Sequence, residues 1–440
     1  MSWAGVCMLA LALACGSGQG GARTDGGALE SGGDGGGPAN AGQIGDAGPP
    51  GDAGGDAGLP PDAGLPPDEE PPPDAGLPPD AGLPPDAGLP PDAGLPPDAG
   101  LPPDAGGPAD GGTDDAGTRI QVPPVGRLYH GVFPAGSTQP DADISMQAAD
   151  DYVNAVGRPL AWIYFSNEWY VTKYFPRVTA EAVRARGAVP FIRLHMRSQQ
   201  KQKVVDPVYT LDNINAGMFD ADLRAWADGA KEFGTPLIVQ YGTEVNGDWN
   251  PWSAPYNGGI SVGPAKFRQA FRHIVQVMRA EGATNIVWAL HLNGENWPGD
   301  EPGNNAGAYY PGDDVVDWIG FSIYQNYGNS DPNCRDLNAL LKAREAELGA
   351  TATKKPLFLF ELGTSVLSTQ CNPGDWTRQT LTDLLGGRWP ELHGFSWWDE
   401  TQRGGSSAMG VPDNPGLRVP FHDVLNGPLG PNLQDRPIVR

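Results

Sequence analysis

The chain has 440 residues and a formal net charge of −24, and that charge is divided unevenly along it. Residues 16 to 118 hold 19 acidic residues against the single base Arg23, a charge of −18, which leaves −6 for the rest. Neither part has the basic surplus that phosphate contacts require, so we expect no nucleic-acid partner. The acidity belongs mainly to one segment near the start of the chain.

The first residues, "MSWAGVCMLALALACGSG", form an apolar run that ends in small residues and a cysteine. This run resembles a bacterial lipoprotein signal over residues 1 to 15, with Cys15 as the lipidated residue. No Lys or Arg precedes the run, and Ala12 stands where leucine is usual, so an ordinary cleaved secretion signal is the alternative. We therefore expect an exported protein, either a cell-surface lipoprotein or a secreted one, which meets the membrane only through a lipid anchor.

Residues 16 to 118 are dominated by Gly, Pro, Asp and Ala, and the motif "LPPDAG" recurs within them. Such a composition buries too little apolar surface to offset the entropy of ordering, which predicts a disordered linker. Pro-Pro pairs favour extended polyproline II, and each repeat adds a negative charge. We expect a semi-stiff, extended spacer.

Residues 119 to 440 alternate between two kinds of pattern. Apolar and β-branched runs predict strands at 128–134, 160–167, 189–195, 236–244, 285–293, 318–324, 356–363 and 395–400. Helical patterns between them include 146–157, 179–187, 220–234, 264–282 and 336–349, each closed by glycine. Eight near-continuous apolar strands alternating with helices predict an α/β fold, the (β/α)8 TIM barrel, as one catalytic domain.

In such a barrel, residues at the C-terminal ends of the strands face the active site. Glu244 and Glu361 end the fourth and seventh predicted strands, which lie across the mouth from one another. A glycosidic bond is hydrolysed by a carboxyl pair of this kind, with one group protonated and the other ionised. Either glutamate alone could instead cap a helix or pair with an arginine, but two of them beside aromatic residues favour catalysis.

Competing chemistries have little support in the sequence. Six histidines without an HExxH or paired Cys-x-x-Cys spacing predict no metal site, and we expect no cofactor. No G-x-S-x-G follows a predicted strand, which argues against a serine hydrolase. A glycan-binding protein that has lost its activity is an alternative of another class, although both glutamates are present.

The motifs "YGTEVNGDWNPW" and "FLFELGTS" resemble the acid/base and nucleophile segments of glycoside hydrolase family 26. The resemblance runs from about residue 128 to about residue 399, and it implies Glu244 as acid/base and Glu361 as nucleophile of a retaining endo-acting enzyme. It also implies Tyr324 as a partner of the nucleophile. The further residues expected to contact the polysaccharide are His195, Asn246, Trp249, Trp252, Trp397 and Trp398.

Thr243 departs from the family pattern, which usually has histidine directly before the acid/base glutamate. The resemblance implies β-1,4-mannan as the first substrate, and this departure makes β-1,3-1,4-glucan or β-xylan the alternatives. The substrate question therefore depends on the neighbourhood of Thr243.

Two cysteines fall within the predicted barrel, Cys334 and Cys371. In an exported chain an even pair suggests a disulfide, and two separate free thiols are the alternative. We expect the barrel to act as a monomer.

Overall fold

The structure is a computed structural model that describes residues 119–135, 144–299, 301–351, 354–400 and 407–440. The signal segment with Cys15 and the acidic linker expected over residues 16 to 118 lie outside the described residues. The domain boundary at residue 119 stays a prediction.

Eight parallel strands close into a barrel in chain order, with β1 paired to β8. Each strand is therefore followed along the chain by its neighbour in the barrel. This confirms the predicted (β/α)8 fold. The strands are β1 Tyr129–Pro134, β2 Trp162–Glu168, β3 Val189–His195, β4 Leu237–Tyr241, β5 Ile286–Asn293, β6 Trp318–Tyr324, β7 Leu357–Gly363 and β8 Leu392–Asp399.

α-Helices connect the strands and cover the outside of the barrel, except between β5 and β6, where the connection contains a short 3-10 helix at Ala306–Tyr309. The α-helices are α1 Met146–Val156, α2 Arg177–Ala185, α3 Leu211–Asn215, α4 Asp220–Phe233, α5 Gly263–Ala280, α6 Leu337–Leu348, α7 Pro373–Leu385 and α8 Pro415–Asn426. The closing glycines of the five predicted helical patterns all have positive φ, between 54° and 91°, as helix stop positions require. In the part of the chain that the structure describes, no helix is long and apolar enough to cross a bilayer.

Large aromatic side chains fill the barrel interior, and glycines on neighbouring strands make room for them. A Cβ at Gly131 would overlap the indole of Trp162, and one at Gly320 would overlap the ring of Phe360. The interior is therefore a packed core below the mouth, and only the upper ends of the strands remain for polar side chains.

Two strand boundaries differ from the sequence prediction by three residues, and the others agree within two. The fourth strand ends at Tyr241, three residues before Glu244, because the chain turns at Gly242 with φ 78° and again at Glu244 with φ 52°. The eighth strand begins at Leu392, three residues earlier than predicted. The first difference matters for the site, since it places Glu244 on a turn above the strand.

The two ends of the described chain pair with each other. The backbone N–H of Arg119 donates to the carbonyl of Arg440 at 3.1 Å, and that of Gln121 donates to Ile438 at 2.8 Å. The Arg119 guanidinium also donates to the carbonyl of Ile286, at the start of β5. Both ends therefore lie at the N-terminal end of the barrel, opposite the mouth.

Candidate active site

Glu361 lies on β7 with its carboxyl in the barrel interior. Phe360 beside it also faces inward, which strict alternation would forbid, and the register between β6 and β7 shifts here so that Ser322 pairs with Glu361. A bulge of this kind re-aims a side chain. The local irregularity thus turns Glu361 toward the mouth.

Side chains from β2, β3 and β6 hold the Glu361 carboxylate. The Tyr324 hydroxyl donates to Oε2 at 2.8 Å, and the Tyr164 hydroxyl donates to Oε1 at 3.3 Å. The guanidinium of Arg193, itself buried, lies 3.5 Å from Oε1 and supplies the counter-charge. Glu361 is thereby fixed as an acceptor with both oxygens oriented.

Glu244 lies across the mouth on the turn after β4, where its φ of 52° is unusual for a residue other than glycine. The indole N–H of Trp249 donates to Oε2 at 2.8 Å, and Nδ2 of Asn293 lies 3.3 Å from Oε1. Trp249 packs directly over Gly247, where a Cβ would lie 2.6 Å from the ring. The strained turn thus carries one carboxyl with an oriented N–H donor beside it.

Together with burial, the charges of both carboxylates raise the pKa of the same tyrosine, Tyr324. Burial raises the pKa of Tyr324 well above its usual range, and the charges of Glu361 and Glu244 raise it further. The same two charges contribute to the raised pKa of Tyr164, again after burial. Both hydroxyls therefore stay protonated donors, and the charges of Glu244 and Glu361 both act on them.

Thr243 fixes the turn that carries Glu244 through its backbone. Its carbonyl oxygen accepts the indole N–H of Trp252 at 2.8 Å and Nδ2 of Asn250 at 3.0 Å. All three residues are buried. Because the carbonyl of Thr243 belongs to the peptide unit that leads into Glu244, these bonds restrain the strained backbone directly.

The hydroxyl of Thr243 joins a buried hydrogen-bond network. It lies 2.9 Å from Nε2 of His195 and accepts from Nε2 of Gln240 at 2.8 Å. Gln240 also donates to the Tyr164 hydroxyl at 2.6 Å. Since Tyr164 contacts Glu361, this network connects the turn of one carboxylate to the partner of the other.

Glu168 sets the direction of the hydrogen bonds in that network. Burial would raise the pKa of Glu168, but His195 and Arg197 together lower it, and Arg197 donates twice to the carboxylate at 2.6 and 2.7 Å. Burial lowers the pKa of His195 despite the 2.7 Å contact of its Nδ1 with Glu168. A neutral His195 therefore carries its proton on Nδ1, and the Thr243 hydroxyl donates to Nε2.

Three residues expected to contact polysaccharide lie inside the protein, where their side chains bind other parts of the chain. Trp252 and Trp397 are 2% and 1% exposed and donate their indole N–H to the carbonyls of Thr243 and Met409. Asn246 is 0% exposed, with its amide donating to Asn293 and Asn296 and its oxygen accepting from the backbone of Asn293. These side chains hold the loops in place.

His195 is also buried, and both of its ring nitrogens have protein partners. His195 is thus a hydrogen-bond partner of the Thr243 hydroxyl. Trp398 lies at the mouth end of β8, 7% exposed, stacked on Phe133 with 3.9 Å between ring centroids. Of the two β8 tryptophans, Trp398 alone belongs to the interior cluster under the mouth, together with Tyr324. Trp249 lies beside Glu244, as described above.

The sequence prediction missed several members of the site. A periodic signal was present, because inward-facing polar residues recur at every second position in the upper halves of the strands. The missed residues are Tyr164 and Arg193 as partners of Glu361, Glu168 as the partner of His195, and Gln240 as the partner of Thr243.

Cys334 and Cys371 form a disulfide that joins the loops after β6 and β7. Within the described ranges, no group of three or more His, Cys, Asp and Glu residues is arranged to hold a metal ion.

Two oriented glutamates at the C-terminal mouth of a (β/α)8 barrel define the class of barrel glycosidases. Comparison with known proteins agrees with this class. The model of Glycosyl hydrolase family 26 matches residues 142–379, more than half of the chain. The chain belongs to glycosyl hydrolase family 26.

Individual relatives match over shorter stretches. The chain is 29% identical over 195 residues to endoglucanase H from Acetivibrio thermocellus, covering 44% of this chain and 19% of that protein. It is 30% identical over 154 residues to a β-1,3-xylanase from a Vibrio species, covering 34% of this chain and 28% of that protein. The chain thus spans less than a third of the length of these relatives.

Among solved structures, a family 26 β-mannanase from Bacteroides ovatus superposes with a TM-score of 0.50 and 16% identity. The match covers 70% of this chain and 90% of that one. At this level of identity the likeness concerns the fold.

Proposed function

We propose that this protein hydrolyses β-glycosidic bonds within a polysaccharide and retains the anomeric configuration. The observation that supports this most directly is the shared environment of Tyr324, which donates to Glu361 at 2.8 Å and whose pKa, raised first by burial, is raised further by both Glu361 and Glu244. A bond lying between the two carboxyls would have a nucleophile on one side and a proton donor on the other.

In the first step, an oxygen of Glu361 attacks the anomeric carbon while the bond from that carbon to the leaving oxygen breaks. The proton of Glu244 passes to the leaving oxygen, and a glycosyl ester of Glu361 forms. The indole N–H of Trp249 donates to Oε2 of Glu244, and the amide of Asn293 donates to Oε1, so these two donors orient the carboxyl that gives the proton.

In the second step, a water molecule attacks the same carbon and gives its proton to Glu244, and the ester bond to Glu361 breaks. Two inversions at one carbon give net retention. Arg193 balances the charge that returns to Glu361, and the Tyr324 and Tyr164 hydroxyls again donate to its two oxygens. The side chains that hold the resting carboxylate are thus those that stabilise it as a leaving group.

The family resemblance of the motif around Glu244 makes β-1,4-mannan the first candidate substrate. A second candidate class, β-1,3-1,4-glucan or β-1,3-xylan, is favoured by one specific observation. Thr243 occupies the position before Glu244, and its hydroxyl is engaged by His195 and Gln240 inside the protein. The names of the relatives described above, an endoglucanase and a β-1,3-xylanase, support the same alternative.

The test is a panel of β-mannan, mixed-linkage β-glucan, β-1,3-xylan and cellulose, with oligosaccharide products identified by chromatography. The full chain is compared with Glu244→Ala, Glu361→Ala and the control Glu181→Ala, an exposed carboxyl on α2. We expect one polysaccharide to be cleaved by wild type and Glu181→Ala, with rates lower by about 10³-fold or more in the two site variants. Absence of cleavage on the whole panel would defeat the proposal.

Azide distinguishes the two roles, because it is a nucleophile that needs no general base. With Glu244→Ala, azide should give a β-glycosyl azide, and with Glu361→Ala it should give the α-anomer. The first product formed by the wild-type enzyme should be the β-anomer by proton NMR. An α-product from wild type would show inversion and remove Glu361 as nucleophile.

A further inference from the structure

Tyr327 is an exposed aromatic residue at the barrel mouth that the mechanism above does not use. It lies in the loop after β6, three residues beyond Tyr324, and is 39% exposed. Its ring centroid lies 5.0 Å from that of Tyr324, whose hydroxyl contacts Glu361. Only one side chain therefore separates Tyr327 from the proposed nucleophile.

The loop holds the Tyr327 ring in a defined place. The guanidinium of Arg335 lies 4.8 Å from the ring centroid, a cation–π contact. Arg335 is itself fixed by Asp331 and Glu295, each at 2.6 Å. Asp331 also accepts the backbone N–H of Tyr327 at 3.0 Å. The ring is thus supported by a charged network while a large part of it faces solvent.

The rest of the loop adds further restraint. The buried amide of Asn326 donates to the carbonyls of Asp331 and Asn333, at 2.9 and 2.8 Å. The disulfide between Cys334 and Cys371 ties this loop to the one that follows β7, the strand of Glu361. An exposed aromatic ring on a loop tied this firmly is suited to binding, because little ordering cost remains when a ligand arrives.

We propose that Tyr327 forms a sugar-binding platform on which a glycosyl ring of the polysaccharide stacks, next to the unit that reacts at Glu361. This inference rests on the proposed function for the identity of the ligand. Sugar rings present faces of C–H groups that pack on aromatic rings, and the exposed part of Tyr327 offers such a surface. Arg335 and Tyr324 hold the ring in its orientation.

The proposal predicts a separation of binding from chemistry. On the polysaccharide that wild type cleaves, Tyr327→Ala should raise KM about 5- to 10-fold and leave kcat within about twofold. Tyr327→Phe keeps the ring and should retain the wild-type KM. The matched control is Tyr174→Ala, which removes a tyrosine that is 71% exposed and lies in the loop between β2 and α2.

Binding without turnover is measured by affinity gel electrophoresis in the same polysaccharide. Glu361→Ala is compared with the double variant Glu361→Ala/Tyr327→Ala, and the double variant should be retarded less. Circular dichroism melting of each variant checks that the fold is kept. An unchanged KM and unchanged retardation would overturn the platform and leave the proposed function standing, as would an equal rise in KM for Tyr174→Ala.

The two proposals fail in different ways. If wild type cleaves no glycan but one glycan still retards it, and Tyr327→Ala reduces that retardation, the hydrolase fails and the platform stands. A chain that neither cleaves nor is retarded by any glycan on the panel overturns both. If Tyr327→Phe loses as much affinity as Tyr327→Ala, the hydroxyl rather than the ring is responsible, and stacking is refuted.

Discussion

The hydroxyl of Thr243 lies 2.9 Å from Nε2 of His195, and this contact joins the turn of Glu244 to the end of β3. We expect Thr243→Val, which keeps the shape and removes the hydroxyl, to lower kcat about 10-fold with little change in KM. The reason is that His195 and Gln240 lose a buried partner, at a cost of about 1–3 kcal/mol, and the strained turn loosens. Steady-state kinetics measures both constants.

Thr243→Ser keeps the hydroxyl and should recover most of the activity. The control is Thr377→Val on α7, a buried threonine whose hydroxyl has no hydrogen-bond partner among the described residues. This variant should leave kcat unchanged. Equal kinetic effects of the two valine substitutions would show that Thr243 contributes only to packing.

The Tyr324 hydroxyl, donating to Oε2 of Glu361, gives a second prediction. Tyr324→Phe should lower kcat/KM about 10- to 100-fold, because a hydrogen bond to a charged group contributes about 1.5–3 kcal/mol. Tyr129→Phe removes a hydroxyl at the opposite end of the barrel, where it donates to the carbonyl of Gln121, and should leave the kinetics intact. A Tyr324→Phe enzyme with wild-type kinetics would exclude this donor from the mechanism.

Asp399, at the end of β8, should make stability depend on pH. Burial raises the pKa of this carboxyl to about 7, although the backbone N–H of Val411 donates to it and lowers the pKa in part. A folded pKa above the unfolded value of 3.8 favours the folded state below pH 4, and that contribution is lost as pH rises through 7. At about 1.4 kcal/mol per pKa unit, the loss reaches about 4 kcal/mol.

Asp399→Asn keeps an oxygen for the Val411 N–H and cannot ionise. Its free energy of unfolding relative to wild type should therefore rise between pH 4 and pH 8, as measured by urea denaturation. Asp423→Asn, which changes an exposed carboxyl on α8, should show no such trend. A flat difference for Asp399→Asn across this range would contradict the expected ionisation.

Packing inside the barrel gives a further prediction. Gly320→Ala should destabilise the protein by about 1–3 kcal/mol, because the added Cβ overlaps the Phe360 ring. Gly416→Ala on α8, where nothing lies within 4 Å of the new Cβ, should be neutral or stabilise by about 0.5–1 kcal/mol. Thermal melting compares the two. Adding Phe360→Leu to Gly320→Ala should recover part of the loss if the overlap is its cause.

The sequence predicted the strand order because parallel barrel strands are apolar on both faces and glycine ends the helices. It also placed Glu361 on β7. It could not place Glu244 on a left-handed turn above the strand. That turn is held by hydrogen bonds from the side chains of Trp252 and Asn250 to the carbonyl of Thr243. Those contacts come from tertiary packing rather than from local preference.

For the aromatic residues too, the sequence predicts their presence near the mouth but not which of them face it. Composition indicates many tryptophans near the mouth but cannot distinguish Trp397, which faces the outer core, from Trp398, which faces the mouth. Alternation along β8 distinguishes them once the inward face is known. For Asn246 no local pattern would have helped, because its partners Asn293 and Asn296 come from a different strand and loop.

The pairing of residues 119 and 121 with 440 and 438 has a practical consequence for how this barrel can be attached to a surface. Both ends leave the domain at the base, next to the start of β5, while Glu244 and Glu361 open at the far end. A support, tag or fusion partner joined to either terminus of the barrel would therefore leave the mouth of the barrel unobstructed. For the same reason, a short peptide could link residue 440 back to residue 119, and new termini could be opened in an outer loop.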